Sequence, residues 1–144
     1  MTMTPPEMLC FALYSATHAM TQAYKPLLDG IGLTYPQYLV MSLLWAQDGQ
    51  PVGALGRQLQ LDSNTLTPLL KRLEGQGLVS RRRDDQDERQ VRIHLTPAGT
   101  ALADKASTIP DCFFRKTGLR IEAVTDLRDR LSVLRDHLRA SDPA

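Results

Sequence analysis

Apolar residues recur at intervals of three and four over the first thirty positions, which is the spacing of one helical face. Thr4 precedes Pro5 and Pro6, an order typical of a helix start, because threonine caps free amides and proline lacks one. Asp29-Gly30 ends the pattern, so we expect a helix from this start to about Leu28. Its stripe, which needs a large partner surface, consists of Leu9, Leu13, Ala16, Met20, Tyr24 and Leu27.

A second and a third helix are expected in close succession. Thr34 and Gln37 have the spacing of a capping box, which predicts a helix from Tyr35 to about Gln47. Gly49 stops that helix, and the apolar positions beyond it predict a short helix over Val52–Leu59. The polar residues that follow are typical of a tight turn rather than of a continued helix.

A further helix is expected to begin where Asp62 or Ser63 caps it, and to run to Gln76, with Gly77 in the position that commonly ends a helix. Together with the preceding short helix it forms a helix-turn-helix pattern. Its apolar stripe leaves short polar groups near the start and cationic groups further along, a distribution suited to base edges and phosphates. The candidate DNA-binding residues of this helix are Ser63, Asn64, Thr65, Thr67, Lys71 and Arg72.

Two short strands are expected next, over Leu78–Arg82 and Gln90–Leu95, around a charged hairpin tip. Thr96 before Pro97 then restarts a helix that continues to about Ser107. Apolar residues of the last helix have the spacing of a coiled-coil seam, so we expect this helix to pack against a partner helix. The seam residues are Val124, Leu127, Leu131, Leu134 and Leu138. The fold class expected is therefore mainly α with a small β-hairpin.

Basic residues concentrate in the middle third, although the net charge of the 144-residue chain is only +1. An isolated run of arginines is usually a solvated face, but the position of this run behind a helix-turn-helix favours DNA binding. Successive side chains of a strand face opposite ways, so the arginines of the first strand cannot all face DNA. The candidates of the hairpin are Arg81, Arg83, Asp87 and Arg89.

Other classes of protein are disfavoured by composition. The two cysteines lie about a hundred residues apart, and three scattered histidines lack ligand spacing, so we expect no disulfide scaffold, metal site or cofactor. The apolar segment Met8–Met20 is short, carries polar residues and lacks a basic flank, which is typical of neither a signal peptide nor a membrane span. We expect a cytoplasmic protein that does not bind membranes.

Two motifs of the central region resemble those of the MarR family of winged helix-turn-helix regulators. They are Asp87-Glu88-Arg89 and Leu95-Thr96-Pro97-Ala98-Gly99. Three further segments resemble the OhrR-like branch, whose members sense organic hydroperoxides: Leu9–Ser15, Leu33–Tyr38 and Leu61–Glu74. The resemblance covers residues from about 8 to 99.

The resemblance implies one MarR-type domain over residues 1–144 that forms a homodimer. About 1–30 and 108–144 would be dimerisation helices, and about 34–99 the DNA-binding lobe. The helix from Ser63 would be the recognition helix, Val79–Leu95 the wing, and Asp87 would pair with Arg89 to brace it. Two symmetry-related recognition helices predict a pseudo-palindromic operator in double-stranded DNA, with half-sites roughly 34 to 36 Å apart.

Two interpretations of the role of Cys10 are open. From the residues alone, a free cysteine on a helical stripe is usually a small buried hydrophobe, and a position a turn or more beyond the helix start lends little electrostatic support to a thiolate. The resemblance implies instead a peroxidatic thiolate, held by Tyr24 and Tyr35 across the dimer. It also implies that Cys112 either resolves the oxidised sulfur of the other subunit or is inert.

The function expected is that of a repressor, not an enzyme, which releases operator DNA when an organic hydroperoxide oxidises Cys10. One alternative is a MarR-type repressor released by a small aromatic or anionic ligand, with Cys10 structural. A second is a thiol peroxidase, which would leave the helix-turn-helix and the basic hairpin unexplained.

Overall fold

A computed structural model describes residues 2–141 of the chain, which is mostly helical and carries one small sheet. A 3-10 turn spans Pro5–Glu7. The helices are α1 Leu9–Asp29, α2 Tyr35–Ala46, α3 Val52–Leu59, α4 Ser63–Gly75, α5 Pro97–Ala106, α6 Ile109–Thr117 and α7 Ile121–Ala140. The strands are β1 Gln50–Pro51, β2 Val79–Arg83 and β3 Val91–Leu95. The predicted fold class, mainly α with a hairpin, is confirmed.

The chain divides into two compact units, of which the first ends at Ile109 and the second begins at Pro110. The core of the first unit joins α2, α3, α4 and the sheet, and its most deeply buried side chains are apolar. They are Val40, Met41, Leu44, Leu55, Leu66, Leu70, Leu73, Val79 and Ile93. In the second unit, α7 buries none of its residues. Among residues 2–141, no helix combines the length and the apolar run needed to cross a membrane.

The sheet differs from the predicted hairpin in two respects. β3 pairs with β2 on one side and with β1 on the other, all antiparallel. The segment at Gln50–Pro51, which we expected only to stop a helix, thus adds a third, very short strand. The hairpin strands also begin one residue later than predicted. Leu78 still donates its amide to Leu73 at the end of α4, and Gln90 donates to Asp87 within the tip.

The predicted start of the first helix was wrong. The capping box at Thr4 exists, because the Thr4 amide donates to Glu7 Oε2 at 2.8 Å, but it closes only the 3-10 turn. Met8 is extended, with φ −92° and ψ 131°, so that α1 begins at Leu9. The helix therefore begins one turn later than the sequence pattern indicates.

Candidate functional site

Cys10 is exposed and is the second residue of α1. This corrects the expectation that it lies a turn or more beyond the helix start, because the extended Met8 separates the 3-10 turn from α1. The first amides of a helix have no intrahelical acceptor and carry a partial positive charge. Cys10 lies in the first turn of α1, which the sequence pattern did not indicate.

Tyr24 and Tyr35 are in contact, with ring centroids 4.9 Å apart, and Tyr38 lies 6.1 Å from Tyr24. Tyr24 is near the end of α1 and Tyr35 is the first residue of α2, so the short connection between the helices brings the rings together. Burial raises the pKa of Tyr24 to about 12, and the neighbouring phenols Tyr35 and Tyr38 act in the same direction. Burial also raises the pKa of Tyr35. Both hydroxyls therefore stay protonated at neutral pH and can donate hydrogen bonds.

Cys10 and the tyrosine pair stand at opposite ends of α1. Tyr24 lies fourteen positions after Cys10, which at a helical rise of about 1.5 Å per residue is about 21 Å along the axis. Tyr35, whose ring packs on Tyr24, is remote from Cys10 for the same reason. A single protomer thus brings the two candidate tyrosines together but does not bring them to the candidate thiol.

Cys112 belongs to α6, in the second unit. It is half-buried, and its Sγ atom lies 4.0 Å from Nη2 of Arg115 one turn further along the same helix. The sequence analysis predicted no separate helix here, since proline usually interrupts a helical pattern, yet Pro110 is the second residue of α6. Proline is tolerated there because the first-turn amides have no acceptor.

The candidate recognition helix α4 is capped by Asp62, whose Oδ1 accepts the Thr65 amide at 2.9 Å. That backbone hydrogen bond is also the main cause that lowers the pKa of Asp62. Ser63, the other residue considered for the cap, is the first helical residue instead, and it is exposed to solvent. Four leucines of this helix are buried. Ser63, Asn64, Thr65, Lys71 and Arg72 are exposed, and Thr67 is half-buried rather than exposed.

The hairpin tip is held by an ion pair that the sequence reasoning missed. Arg92 Nε lies 2.9 Å from Asp84 Oδ2, and Arg92 Nη1 donates to the Gly49 carbonyl at 2.8 Å. The Asp84 side chain is only 14% exposed, and its pKa is lowered by the Gln86 amide and by Arg92. Opposite charges at the tip and on the second strand were the only sequence signal for this pair, because the register that aligns them is not a local property.

The pair expected as the brace is weaker. Arg89 Nε lies 3.6 Å from Asp87 Oδ1, yet the Arg89 side chain is 95% exposed, and exposed pairs contribute little to stability. Asp87 also accepts the Arg89 amide at 3.1 Å, which shapes the tip locally. On β2, Arg81 is half-buried and Arg83 exposed, with the Arg83 guanidinium donating to the Glu88 carbonyl at 3.4 Å. The structure therefore leaves Arg89 facing solvent at the tip.

Comparison with known proteins gives a consistent result. A family model described as the transcriptional regulator SarA/Rot matches residues 22–106. The chain is 49% identical over 132 residues to the HTH-type transcriptional regulator TtmR of Methylorubrum extorquens, covering 92% of this chain and 68% of that protein. It is 48% identical over 126 residues to the organic hydroperoxide resistance transcriptional regulator of Bacillus subtilis, covering 88% and 84%. The solved structure of reduced AbfR bound to DNA matches with a TM-score of 0.75 and 35% identity, over 92% of this chain and 93% of that one.

Proposed function

The chain belongs to the SarA/Rot type of MarR-family winged-helix transcriptional regulators, and from that premise we propose that it represses transcription until an organic hydroperoxide oxidises Cys10. The observation that carries the proposal is that Cys10 is exposed and lies in the first turn of α1. The similarity of the chain to a regulator of organic hydroperoxide resistance supports the same function. As a regulator of chromosomal genes it would act in the cytoplasm.

The chemistry proposed for Cys10 is a two-electron oxidation. The thiolate attacks the terminal oxygen of the hydroperoxide, the O–O bond breaks and an S–O bond forms. The alkoxide leaves and takes up a proton to become an alcohol, while the sulfur becomes a sulfenic acid. Hydrogen bonds from Tyr24 and Tyr35 would hold the thiolate before the reaction and would change when it is consumed.

A homodimer is part of the proposal, because one protomer holds Cys10 about 21 Å from its own Tyr24. The tyrosine pair of a second copy can complete the site. Exposed apolar side chains around Cys10 are consistent with a covered surface: Leu9 is 62% and Tyr14 61% exposed. In the second unit, α7 exposes its seam residues Leu127, Leu131 and Leu138 in the same manner. We propose residues 1–30 and 108–144 as the dimerisation segments.

Cys112 is proposed as the resolving thiol. Its sulfur would attack the sulfenic acid of Cys10 in the other copy, forming a disulfide and releasing water. Such a bond would tie the two copies together and bias the arrangement of their DNA-binding lobes. After peroxide treatment, we expect a covalent dimer on non-reducing electrophoresis, which both Cys10→Ser and Cys112→Ser abolish. A covalent dimer that survives Cys112→Ser would exclude this role.

The DNA interface proposed consists of α4 in the major groove and the hairpin tip in the adjacent minor groove. The exposed residues Ser63, Asn64 and Thr65 are at the leading turn of α4, where base edges are read, while Lys71 and Arg72 follow at phosphate-binding positions. At the hairpin, Arg81, Arg83, Asp87 and Arg89 complete the set. The homodimer would bind a pseudo-palindromic operator in double-stranded DNA.

The test is binding of the purified protein to the DNA upstream of its own gene, with and without cumene hydroperoxide. Wild type should bind when reduced and be released by the peroxide, and Cys10→Ser should bind in both conditions. Methyl methanethiosulfonate, which modifies any accessible thiol, serves as a control for exposure of the sulfur. Peroxide-insensitive binding in the wild type would refute redox sensing and leave a MarR-type regulator that answers to another ligand.

A further inference from the structure

A cleft of about 370 Å³ lies between the start of α3 and the hairpin, and it joins Arg57 to Arg81 and Arg89 of the proposed DNA interface. One wall consists of residues 51–54 and Arg57 of the α3 side. The other consists of Arg81 on β2 together with Arg89, Gln90 and Val91 at the end of the tip. All of these residues belong to the first unit.

Three guanidinium groups from three segments line this cleft: those of Arg57 on α3, Arg81 on β2 and Arg89 at the tip. Within residues 2–141, the Arg57 and Arg81 side chains make no hydrogen bond or ion pair, and Arg81 is held only through its backbone amide, 3.3 Å from Glu74 Oε2. In the described part of the chain, the Arg89 side chain has a single ionic contact, the loose and solvent-exposed one with Asp87. Among the described residues no carboxylate lines the cleft, so its lining carries a net positive charge that suits an anion.

The Arg57 guanidinium folds back over the first turn of α3. A β-carbon built at Gly53 would lie 3.4 Å from its Nη1 atom, at ordinary van der Waals distance. Arg57 therefore lies beside Gly53, and both residues line the cleft.

We infer that this cleft binds a phosphate of the DNA backbone, gripped between α3 and the wing. The inference rests on the proposed function for the placement of α4 in the major groove and of the tip in the minor groove. The sugar–phosphate backbone is what separates the two grooves of a duplex. A cationic cleft whose walls are the helix preceding α4 and the end of the tip meets that backbone, and guanidinium groups bind phosphate oxygens in a paired geometry.

The test is the salt dependence of DNA binding by reduced Arg57→Gln. Each phosphate that the protein neutralises adds about 0.9 to the steepness of log K against log salt, so a dimer in which both clefts are disabled should have a slope shallower by about 1.8. Affinity should fall roughly tenfold or more, and by the same factor for the operator and for a duplex of unrelated sequence, because phosphate binding carries no sequence information. Lys105→Gln is the control that removes the same charge, since Lys105 is exposed in the last turn of α5 and lies outside both the proposed dimerisation segments and the proposed DNA interface.

Two further measurements separate the outcomes. Thermal unfolding of Arg57→Gln should match the wild type, since the Arg57 side chain has no hydrogen-bond or ionic partner within residues 2–141. If the wild type binds DNA but Arg57→Gln keeps its full salt slope, the inference is wrong while the proposed function stands; if the wild type fails to bind, the proposed function fails first. A site for free anions would give a different result. Arg57→Gln would then lose the binding of inorganic phosphate, measured by calorimetry without DNA, while its DNA binding kept the salt slope of the wild type. This result would also overturn the inference.

Discussion

Gly99, the last residue of the Leu95–Gly99 motif, is required by packing, and its replacement by alanine tests this directly. Gly99 is buried in the first turn of α5. An added β-carbon would collide with the Leu78 carbonyl oxygen and lie 3.0 Å from the Leu78 carbonyl carbon. These are backbone atoms, so no side-chain rotation can relieve the contact. The same Leu78 oxygen accepts the Thr96 amide at 3.1 Å, and the Gly99 oxygen accepts Trp45 Nε1 at 2.9 Å.

The expected change in the free energy of unfolding for Gly99→Ala is the sum of opposing contributions. Overpacking of a buried site costs about 1–3 kcal/mol, and weakening of the Thr96 and Trp45 hydrogen bonds costs about 1 kcal/mol each. The higher helix propensity of alanine offsets about 1 kcal/mol of this. We therefore expect Gly99→Ala to lower the free energy of unfolding by about 2–4 kcal/mol.

Urea unfolding at equal protomer concentration measures this loss, because the stability of a dimer depends on concentration. Gly75→Ala is the matched control. It changes a glycine at the end of α4 that has nothing within 4 Å of an added β-carbon, and it should be neutral or stabilising by up to about 1 kcal/mol. Equal stability of Gly99→Ala and the wild type would refute the reasoning, since the Leu78 backbone would then move aside freely.

Two further predictions concern the hairpin and the tyrosine pair. Asp84→Ala should increase proteolysis of the tip more than Asp87→Ala, because only Asp84 holds the partly buried Arg92. Equal proteolysis of the two variants would contradict this role of Asp84. Since the folded state lowers the pKa of Asp84, the stabilisation that its carboxylate provides is complete above the ordinary Asp pKa and is lost as pH falls through the lowered value. Tyr24 should ionise only near pH 12, and its contribution to stability, complete below pH 10, is lost as pH rises toward 12. In a titration followed by phenolate absorbance, Tyr24→Phe should remove the absorbance step at the highest pH. Ionisation of all tyrosines near pH 10 would exclude the raised pKa of Tyr24.

Local signals predicted most of the helix boundaries. Thr34 and Gln37 cap α2 reciprocally, and the Thr96 hydroxyl accepts the Gly99 amide at the start of α5, as the capping patterns indicate. Such contacts join residues three apart, so the sequence contains all that is needed to predict them. The bounds of α3, which has no side-chain cap, were predicted instead from the spacing of its apolar residues.

The sequence did not predict a helix boundary at which a 3-10 turn competes with an α-helix, or contacts that depend on how strands and helices align. The capping box at Thr4 is real, but its sequence does not indicate that Met8 will be extended and limit it to a 3-10 turn. The Asp84–Arg92 pair requires the alignment of β2 with β3, which is a property of the whole sheet. The contact of Tyr24 with Tyr35 depends on the angle between two helices, and here the family resemblance supplied what periodicity could not.

The length of α1 has a consequence for the number of chains that the proposed sensor requires. Because Cys10 and Tyr24 are fixed at opposite ends of one helix, an isolated chain would not assemble the proposed sensor even though it carries every group of it. Two defective chains can then restore each other. A mixed pair of a Cys10→Ser chain with a chain that lacks both tyrosine hydroxyls contains one whole site and one empty of all its groups, so each such pair would recover one of its two sensors.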